Sequence, residues 1–407
     1  MKKSYLLGAL GLLAMASCSQ DETIGINHDG DEITFNVVTN SATRAAGVYC
    51  NKNLPDGFYV SAISDGKTYI DKDYVTGENG NWTNTSGTRY WPETAVDFYA
   101  HVNGGDAYKW NNGSPKFEGF TVNNTVGSQV DLLYAVKKNQ SKTNGTVNLN
   151  FRHALSQIVF QAKNTNANLY VEIAGVSVVN VGGKNTFTFP SESTETNIAH
   201  NNYDKDGDGV YETGEFGSIP YDDSWGSWAA LTQGTEQYNV DFTKTPVPGN
   251  NTLVALTTKN EDGKEYNSNA MLLLPQKTAA WDPEANPVPD AAGNTGSYLL
   301  VDCAIFNVAG TDYAEGDDVC LWGKPQGSGW TTKELAIPVA FDWQQGKKYV
   351  YTLVFGEGNG GYNPDPEDPD PEDPDPVLVP ITFEITVDEF VPVDGGEIES
   401  GIPGEGA

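Results

Sequence analysis

The chain is strongly acidic and long enough for two or three domains. It has 407 residues, in which 24 Lys and Arg stand against 55 Asp and Glu, for a formal net charge of −31. That charge repels nucleic acid and anionic membrane surfaces, so it argues against nucleic acid as a partner. Helix-like stretches are few, whereas Gly, Asn, Thr, Tyr and Val are abundant, which favours an all-β fold of short strands joined by turns.

The amino-terminal segment is typical of a secretory signal. Two lysines precede an apolar run over residues 6–15, which is too short to span a bilayer. Residues 15–18 (MASC) resemble a bacterial lipobox, in which the cysteine is acylated and becomes the first residue. Residues 19–22 (SQDE) resemble the acidic signal that exports Bacteroidetes lipoproteins to the cell surface. We therefore expect residues 1–17 to be a lipoprotein signal peptide and Cys18 to anchor an outer membrane precursor; the alternative is a plain signal peptide.

Residues 18–44 are predicted to form an amino-terminal propeptide that contains the first strand. Residues 32–39 alternate apolar and polar side chains, as a half-buried strand does. The apolar positions are Ile33, Phe35 and Val37. Small residues surround Arg44, which is typical of an exposed site for a trypsin-like protease that would cut between Arg44 and Ala45. The alternative is that Arg44 is simply a solvated loop residue.

Further alternating segments separated by turn residues predict two β-sandwiches, over residues 45–145 and 146–357. The first strands are expected at 57–64, 68–75, 96–101, 131–136 and 147–151. A second set is expected at 156–162, 169–181, 253–258, 270–274, 297–308, 336–341 and 348–355.

A calcium-loop motif lies within the second predicted sandwich. Residues 204–215 match D-x-D-x-D-G-x5-E at every diagnostic position. The expected oxygen ligands of Ca²⁺ are Asp204, Asp206, Asp208, the Val210 carbonyl, Glu212 or its water, and bidentate Glu215. The flanking residues do not have the pattern of amphipathic helices, so we expect an inserted loop rather than a paired EF-hand. An acidic loop without metal is the alternative.

The carboxyl-terminal end combines a stiff linker with an isolated strand. Residues 358–379 form a linker rich in Pro, Asp and Glu, in which proline prevents both helix and sheet. The 18 residues from Tyr362 to Val379 span on the order of 55 Å when extended. Residues 380–407 contain one alternating strand and a tail. Its apolar positions are Ile381, Phe383, Ile385 and Val387. This strand either enters a neighbouring molecule or forms the edge of its own second domain.

Several segments, in order along nearly the whole chain, resemble the Bacteroidales fimbrillins, the Mfa-like and FimA-like pilin superfamily. The segments are Trp82, 90–92 (YWP), 96–100 (VDFYA), 131–135 (DLLYA), 149–160 (LNFRHALSQIVF), 272–276 (LLLPQ), 342–349 (DWQQGKKY) and 381–390 (ITFEITVDEF). Phe390 stands where many relatives have tryptophan.

The resemblance implies two transthyretin-like β-sandwich domains with a tethered carboxyl-terminal strand. It also implies a lipoprotein precursor, matured by an arginine-specific surface protease for which Arg44 is the matching residue, and no enzymatic activity. The mature protein would join other fimbrillin subunits in a fimbrium. Cleavage would free the first strand, and the terminal strand of a neighbour, with Phe383 in place of Phe35, would fill the vacant groove and build a filament.

The cysteines and histidines suggest structural roles. Of the three cysteines after Cys18, only Cys303 and Cys320 are close enough in sequence for a plausible disulfide, and two free thiols are the equal alternative. The four histidines have no spacing typical of a metal site or catalytic triad. His153, in a predicted strand, is expected to be a hydrogen-bonded structural residue.

The aromatic residues suggest a second function. A surface glycan-binding lipoprotein that acts as a monomer would need a sugar-stacking platform of aromatic rings. The candidates are Tyr221, Trp225, Trp228, Trp322 and Trp330. The alternative for these side chains is packing in the sandwich cores.

Overall fold

The computed structural model describes residues 31–39, 56–78, 81–194, 223–231, 234–257, 259–261, 264–266, 269–286, 289, 296–309, 318–358, 360–364 and 381–389. Three predicted sites lie outside the described residues. They are the lipidation residue Cys18, the cleavage pair Arg44 and Ala45, and the calcium loop over residues 204–215.

The described part of the chain is all-β. The strands of its first half are β1 (Phe35–Thr39), β2 (Gly57–Ser64), β3 (Lys67–Glu78), β4 (Asn81–Asn84), β5 (Val96–Val102), β6 (Tyr108–Lys109), β7 (Lys116–Thr121), β8 (Leu133–Gln140), β9 (Val147–His153), β10 (Ser156–Asn164), β11 (Leu169–Val181) and β12 (Lys184–Thr188). Single 3₁₀ turns lie at Gly105–Ala107, Val126–Ser128 and Lys142–Asn144. Within the described ranges, no helix has the length and apolar character needed to cross a membrane.

The remaining strands are shorter on average. They are β13 (Ser227–Trp228), β14 (Glu236–Pro248), β15 (Val254–Ala255), β16 (Lys259–Glu261), β17 (Lys264–Tyr266), β18 (Met271–Leu273), β19 (Tyr298–Asn307), β20 (Val319–Trp322), β21 (Lys324–Gln326), β22 (Gly329–Thr331), β23 (Lys333–Pro338), β24 (Lys347–Phe355) and β25 (Ile381–Glu389).

The first sheet has seven strands in the order β1-β9-β8-β5-β2-β3-β4. Alternation along these strands sends one set of apolar side chains to a shared core, which includes Phe58, Phe98, Trp91 and Phe151. The sheet curls around this core and brings β1 beside β4. The first strand of the chain therefore seals the core at the seam where the two ends of the sheet meet.

Two five-stranded sheets form the second sandwich. One has the order β15-β10-β24-β25 with β18 paired to β10, and the other has the order β14-β11-β19-β20 with β23 paired to β19. Their inner faces build the main core, where Phe160 and Tyr351 of one sheet share a cluster with Ile173 and Ile305 of the other. The second half of the chain is thus a β-sandwich, as predicted.

The two halves share strands and side chains across the boundary expected at residue 145. Strand β9 pairs with β1 and β8, so the first sheet ends at His153. Strands β12 and β13 from the second half form a four-stranded sheet with β7 and β6. The hydroxyl of Tyr134 on β8 donates to the side-chain oxygen of Gln345 over 3.1 Å. The boundary depends on these long-range pairings, which a local pattern does not contain.

Candidate functional site

The predicted first strand is an edge strand of the first sheet. Strand β1 pairs with β9 alone, in parallel, from Phe35 opposite Val147 to Thr39 opposite Phe151. On the polar face, the side-chain nitrogen of Asn36 donates to the side-chain oxygen of Asn148 over 3.0 Å. The hydroxyls of Thr34 and Thr146 are 3.0 Å apart. Backbone and side-chain bonds therefore set the register of β1 on β9.

The residues just before β1 are bound on the opposite side, to the segment that follows β4. The Ile33 amide donates to the Arg89 carbonyl over 2.8 Å, and the Trp91 amide donates to the Asp31 carbonyl over 3.1 Å. Asp31 also forms an ion pair with Lys142. The amino-terminal segment thus bridges the two ends of the curled sheet.

Three apolar side chains of this segment fill the first core. Ile33, Phe35 and Val37 are all buried. The Phe35 ring packs edge-to-face on Phe58 and on Phe98, with 5.8 Å between centroids in each pair. Removal of β1 would open an apolar groove beside the unpaired edge of β9, and such a groove aggregates unless another strand fills it.

The carboxyl-terminal strand lies in the second sandwich of its own chain. Strand β25 pairs antiparallel with β24, from Ile381 opposite Phe355 to Glu389 opposite Lys347. Ile381 is buried, Phe383 is half-buried against the main core, and Ile385 is 41% exposed. The Lys163 ammonium binds both carboxylate oxygens of Glu384, at 2.9 and 3.0 Å. The structure therefore has β25 in cis, with its apolar face only partly covered.

The two terminal strand segments share a three-residue sequence. Residues 33–35 and residues 381–383 both read Ile-Thr-Phe. In the same alignment, Glu384 corresponds to Asn36 and Ile385 corresponds to Val37. Residues 381–385 of β25 therefore have the same order of apolar and polar side chains as residues 33–37.

A family comparison agrees with this architecture. The family model described as fimbrillin-like matches residues 28–367, which include β1 and every described strand up to β24. The chain belongs to the fimbrillin-like family. The match ends before β25, so the terminal strand of this fimbrillin-like protein lies outside the matched region.

Solved structures similar to this fimbrillin-like chain include proteins from Bacteroides and Parabacteroides species. A fimbrial protein from Bacteroides vulgatus is 15% identical with a TM-score of 0.46, and the alignment covers 88% of this chain and 100% of that one. A protein assigned to cell adhesion from Bacteroides uniformis is 14% identical with a TM-score of 0.41, and the alignment covers 89% and 99%. No curated protein matches the chain.

The cysteines of the fimbrillin-like chain do not form the disulfide that was one of the two alternatives. Cys303 and Cys320 are free thiols. Cys303 points into the main core, whereas Cys320 packs on the other face of the sheet, against the cluster of Ala304, Phe306 and Val308. Burial raises the pKa of both thiols. Because a protonated thiol is a poor nucleophile, both side chains have low reactivity.

The predicted structural role of His153 agrees with its surroundings. Its Nδ1 lies 3.0 Å from a carboxylate oxygen of Asp131, and both side chains are buried. Within the described residues, no three His, Cys, Asp or Glu side chains are grouped so that they could hold a metal ion. The calcium motif remains a prediction from sequence.

The aromatic residues do not form a single exposed platform. Trp228 packs on Phe187 with 5.1 Å between centroids, and its Nε1 donates to the Ala154 carbonyl over 2.6 Å. The Arg152 guanidinium carbon lies over the Trp225 ring, 4.2 Å from the ring centroid. Trp322 is half-buried and Trp330 is exposed, both on the β20–β22 segment, whereas Tyr221 lies outside the described residues. The packing interpretation therefore applies to Trp225 and Trp228.

Proposed function

We propose that this protein is a structural or adhesive subunit of a cell-surface filament that polymerises by strand exchange. Cleavage after Arg44 removes β1, and β25 of a neighbouring copy enters the vacated position beside β9. The observation that carries the proposal is the edge position of β1. Residues 33–37 bury three side chains there, and the apolar side chains of β25 repeat their spacing.

The apolar face supplies most of the driving force. Ile381, Phe383 and Ile385 would occupy the positions of Ile33, Phe35 and Val37. Full burial of three such side chains is worth about 5 to 9 kcal/mol before the cost of ordering the strand. The gain in buried apolar surface over the cis position is largest for Ile385. That side chain is 41% exposed beside β24, whereas Val37, whose position it would take, is only 5% exposed beside β9.

The polar face of β25 also suits the groove. Thr382 would stand in the place of Thr34, where it can repeat the hydroxyl contact with Thr146. Glu384 would stand in the place of Asn36, which donates to the Asn148 side-chain oxygen. A carboxylate only accepts, so the Asn148 side chain would turn and donate from its nitrogen, which reverses the direction of the bond. Exchange therefore preserves the polar pairing that sets the register of β1.

The linker favours transfer to a neighbour over the cis arrangement. Gly358 lies against Ile381, so close that a Cβ on Gly358 would be 2.7 Å from the Ile381 carbonyl. Pro364 is six positions along the chain from Gly358, so the linker's two described ends lie at most about 22 Å apart. Residues 365–380 would span about 50 Å in the extended conformation that proline favours. Release of β25 allows that extension, and the cis position does not.

Exchange of this kind generates a filament rather than a closed ring of two. The groove lies in the first half of one copy and the donor strand at the end of the next, so each contact is heterologous and leaves a new groove free. An acylated Cys18 would anchor the precursor at the outer membrane, and an arginine-specific surface protease would release the mature subunit to the fimbrium.

Paired cysteines distinguish exchange from permanent cis packing. Both double variants carry Glu384→Cys, in a background with Cys50→Ser and Cys320→Ser. The first adds Asn148→Cys, which faces Glu384 only in exchange. The second adds Thr352→Cys, which is the cis partner of Glu384 on β24. Paired positions on adjacent strands are close enough for a disulfide.

Strand exchange predicts opposite results for the two variants. After proteolytic maturation and mild oxidation, N148C/E384C should give a ladder of covalent oligomers in SDS. Oxidised T352C/E384C should remain a monomer until it is reduced. If the oxidised T352C/E384C protein polymerised as fast as its reduced form, release of β25 would not be needed and the proposal would fail.

A further inference from the structure

An open pocket lies where five segments of the chain converge, far in sequence from both exchanging strands. Its volume is about 330 Å³, within the range of small-molecule sites. The floor is apolar and buried, formed by Phe120, Val122, Leu155 and Leu272. Four polar side chains and one valine, all exposed, form the rim. They are Asn103, Thr121, Asn123, Ser128 and Val130.

The pocket is uncharged in a protein of net charge −31. None of the described residues that line it is Asp, Glu, Lys or Arg. A ligand with a phosphate or carboxylate would find no counter-charge here, and the acidic protein as a whole would repel it. A cation would find no carboxylate on the lining. The pocket therefore suits a neutral ligand with both an apolar face and hydrogen-bonding groups.

Hydrogen bonds from one buried and one exposed polar side chain hold the pocket open. The Gln129 side chain donates to the Asn123 carbonyl over 3.1 Å and accepts from the Leu272 amide over 2.6 Å, which joins two walls of the pocket. The Asn103 amide donates to the Asp131 carbonyl over 2.8 Å, and the Asp131 side chain is bound to His153. Asn103 has a positive φ of 59°, a conformation that asparagine tolerates better than most residues. These bonds preorganise the site, which lowers the cost of binding.

Three rim groups keep hydrogen-bonding capacity that no described residue uses. They are the side-chain oxygen of Asn103, the side-chain amide nitrogen of Asn123 and the hydroxyl of Ser128. The Asn123 oxygen is already engaged, since it accepts from the Thr125 amide over 2.9 Å. One acceptor, one donor and one hydroxyl thus surround an apolar floor.

We infer that this pocket binds one uncharged sugar residue of a surface glycan. A pyranose ring has an apolar face of C–H groups that can lie on Phe120 and Leu272, and hydroxyls at its edge that can bond to Asn103, Asn123 and Ser128. The inference rests on the adhesive role in the proposed function and is independent of strand exchange, because the monomer already contains the complete pocket.

Ligand-observed saturation-transfer NMR on the full monomeric chain tests the site. The probes are the methyl glycosides of glucose, galactose, mannose, fucose and N-acetylglucosamine, with sialic acid and glucuronic acid as charged comparators. Ser128→Trp places a large ring in the mouth of the pocket from an exposed position. Asn123→Asp keeps the acceptor for the Thr125 amide and replaces the donor by a negatively charged acceptor oxygen. Leu253→Trp, at a site that is 55% exposed and does not line the pocket, is the matched control.

At least one neutral glycoside should give saturation transfer with the unmodified protein and with L253W. Binding should be lost in S128W and weakened about three- to tenfold in N123D, as expected for one neutral hydrogen bond. The inference is overturned if no neutral glycoside binds, if the charged sugars bind equally well, or if S128W binds as the unmodified protein does. Polymerisation of the same samples is scored separately, so failure of the pocket leaves strand exchange standing.

Discussion

Strand exchange predicts that Phe35 and Phe383 affect different states of the protein. Phe35 is 4% exposed and packs on two aromatic rings of the first core. Truncation of such a phenylalanine to alanine costs about 3 to 5 kcal/mol. Phe35→Ala should therefore lower the unfolding free energy of the precursor by that amount. It should leave the mature filament unchanged, because the proposed cleavage after Arg44 would remove β1 from the subunit.

Phe383→Ala should show the reverse pattern. In the precursor Phe383 is half-buried at a sheet edge, 6.4 Å from Tyr351 between ring centroids, so its loss there should cost about 1 to 2 kcal/mol. In the filament Phe383 would occupy the site of Phe35 and its loss should cost about 3 to 5 kcal/mol. The difference of about 2 to 3 kcal/mol corresponds to about 1.5 to 2 orders of magnitude in subunit affinity.

Urea unfolding of the precursor and the rate of subunit loss from matured filaments in SDS provide the two measurements. Thr386→Ala, on the exposed face of β25, is the control and should change neither. If F383A filaments dissociated at the rate of the unmodified filaments, or if F35A weakened the mature filament, β25 would not be the replacement for β1.

Three further outcomes follow from titratable groups and from the calcium motif. Burial lowers the pKa of His101 to about 3, so the unfolded chain takes up a proton near pH 6.5 that the folded chain does not. The unfolding free energy should therefore fall as the pH is lowered from 6.5 towards 3, and His101→Gln should flatten that slope in urea titrations; equal slopes would contradict the assignment. Burial is the largest single influence and would raise the pKa of Asp73, but the hydrogen bond from Arg89 at 2.7 Å, those from Asn84 and Ser86 and the Arg89 charge together outweigh it, so the pKa lies below 3.8. The pair thus stabilises the fold above pH 3.8 and loses its effect as the pH falls through the lowered pKa. Asp73→Asn should lower Tm at pH 7 and match the unmodified protein in strong acid, whereas a pH-independent difference in thermal scans would exclude this role. If residues 204–215 bind Ca²⁺, EGTA should expose that segment to limited proteolysis, and identical fragment patterns with and without EGTA would show that the loop holds no metal.

Local alternation predicted the strands whose side chains face one core. Strand β2 and strand β11 have the bounds expected from sequence, because a period of two is visible within the segment itself. Strand β14 was not predicted, although Tyr238 and Val240 alternate inward, because its other half is largely exposed. The short strands β20 to β22 lack enough residues to show a period.

Pairing between distant segments could not be read from the same patterns. Nothing in residues 147–153 indicates that they lie parallel to β1 rather than in the second sandwich. The four-stranded sheet of β6, β7, β12 and β13 joins segments from both predicted domains. The pocket depends on such long-range contacts, since the bond from the Leu272 amide to Gln129 joins residues on opposite sides of the predicted boundary.

The sequence by itself determined which residues of the two terminal strands face a core, because alternation and the repeated Ile-Thr-Phe are local properties of the chain. Only the tertiary structure decided which edge each strand occupies: β1 on β9 and β25 on β24. The physical reason is that all strands offer the same backbone donors and acceptors, so backbone pairing alone does not select an edge. The choice of edge then rests on the depth of the apolar groove and on contacts such as Lys163 with Glu384, which exist only once distant segments have folded together.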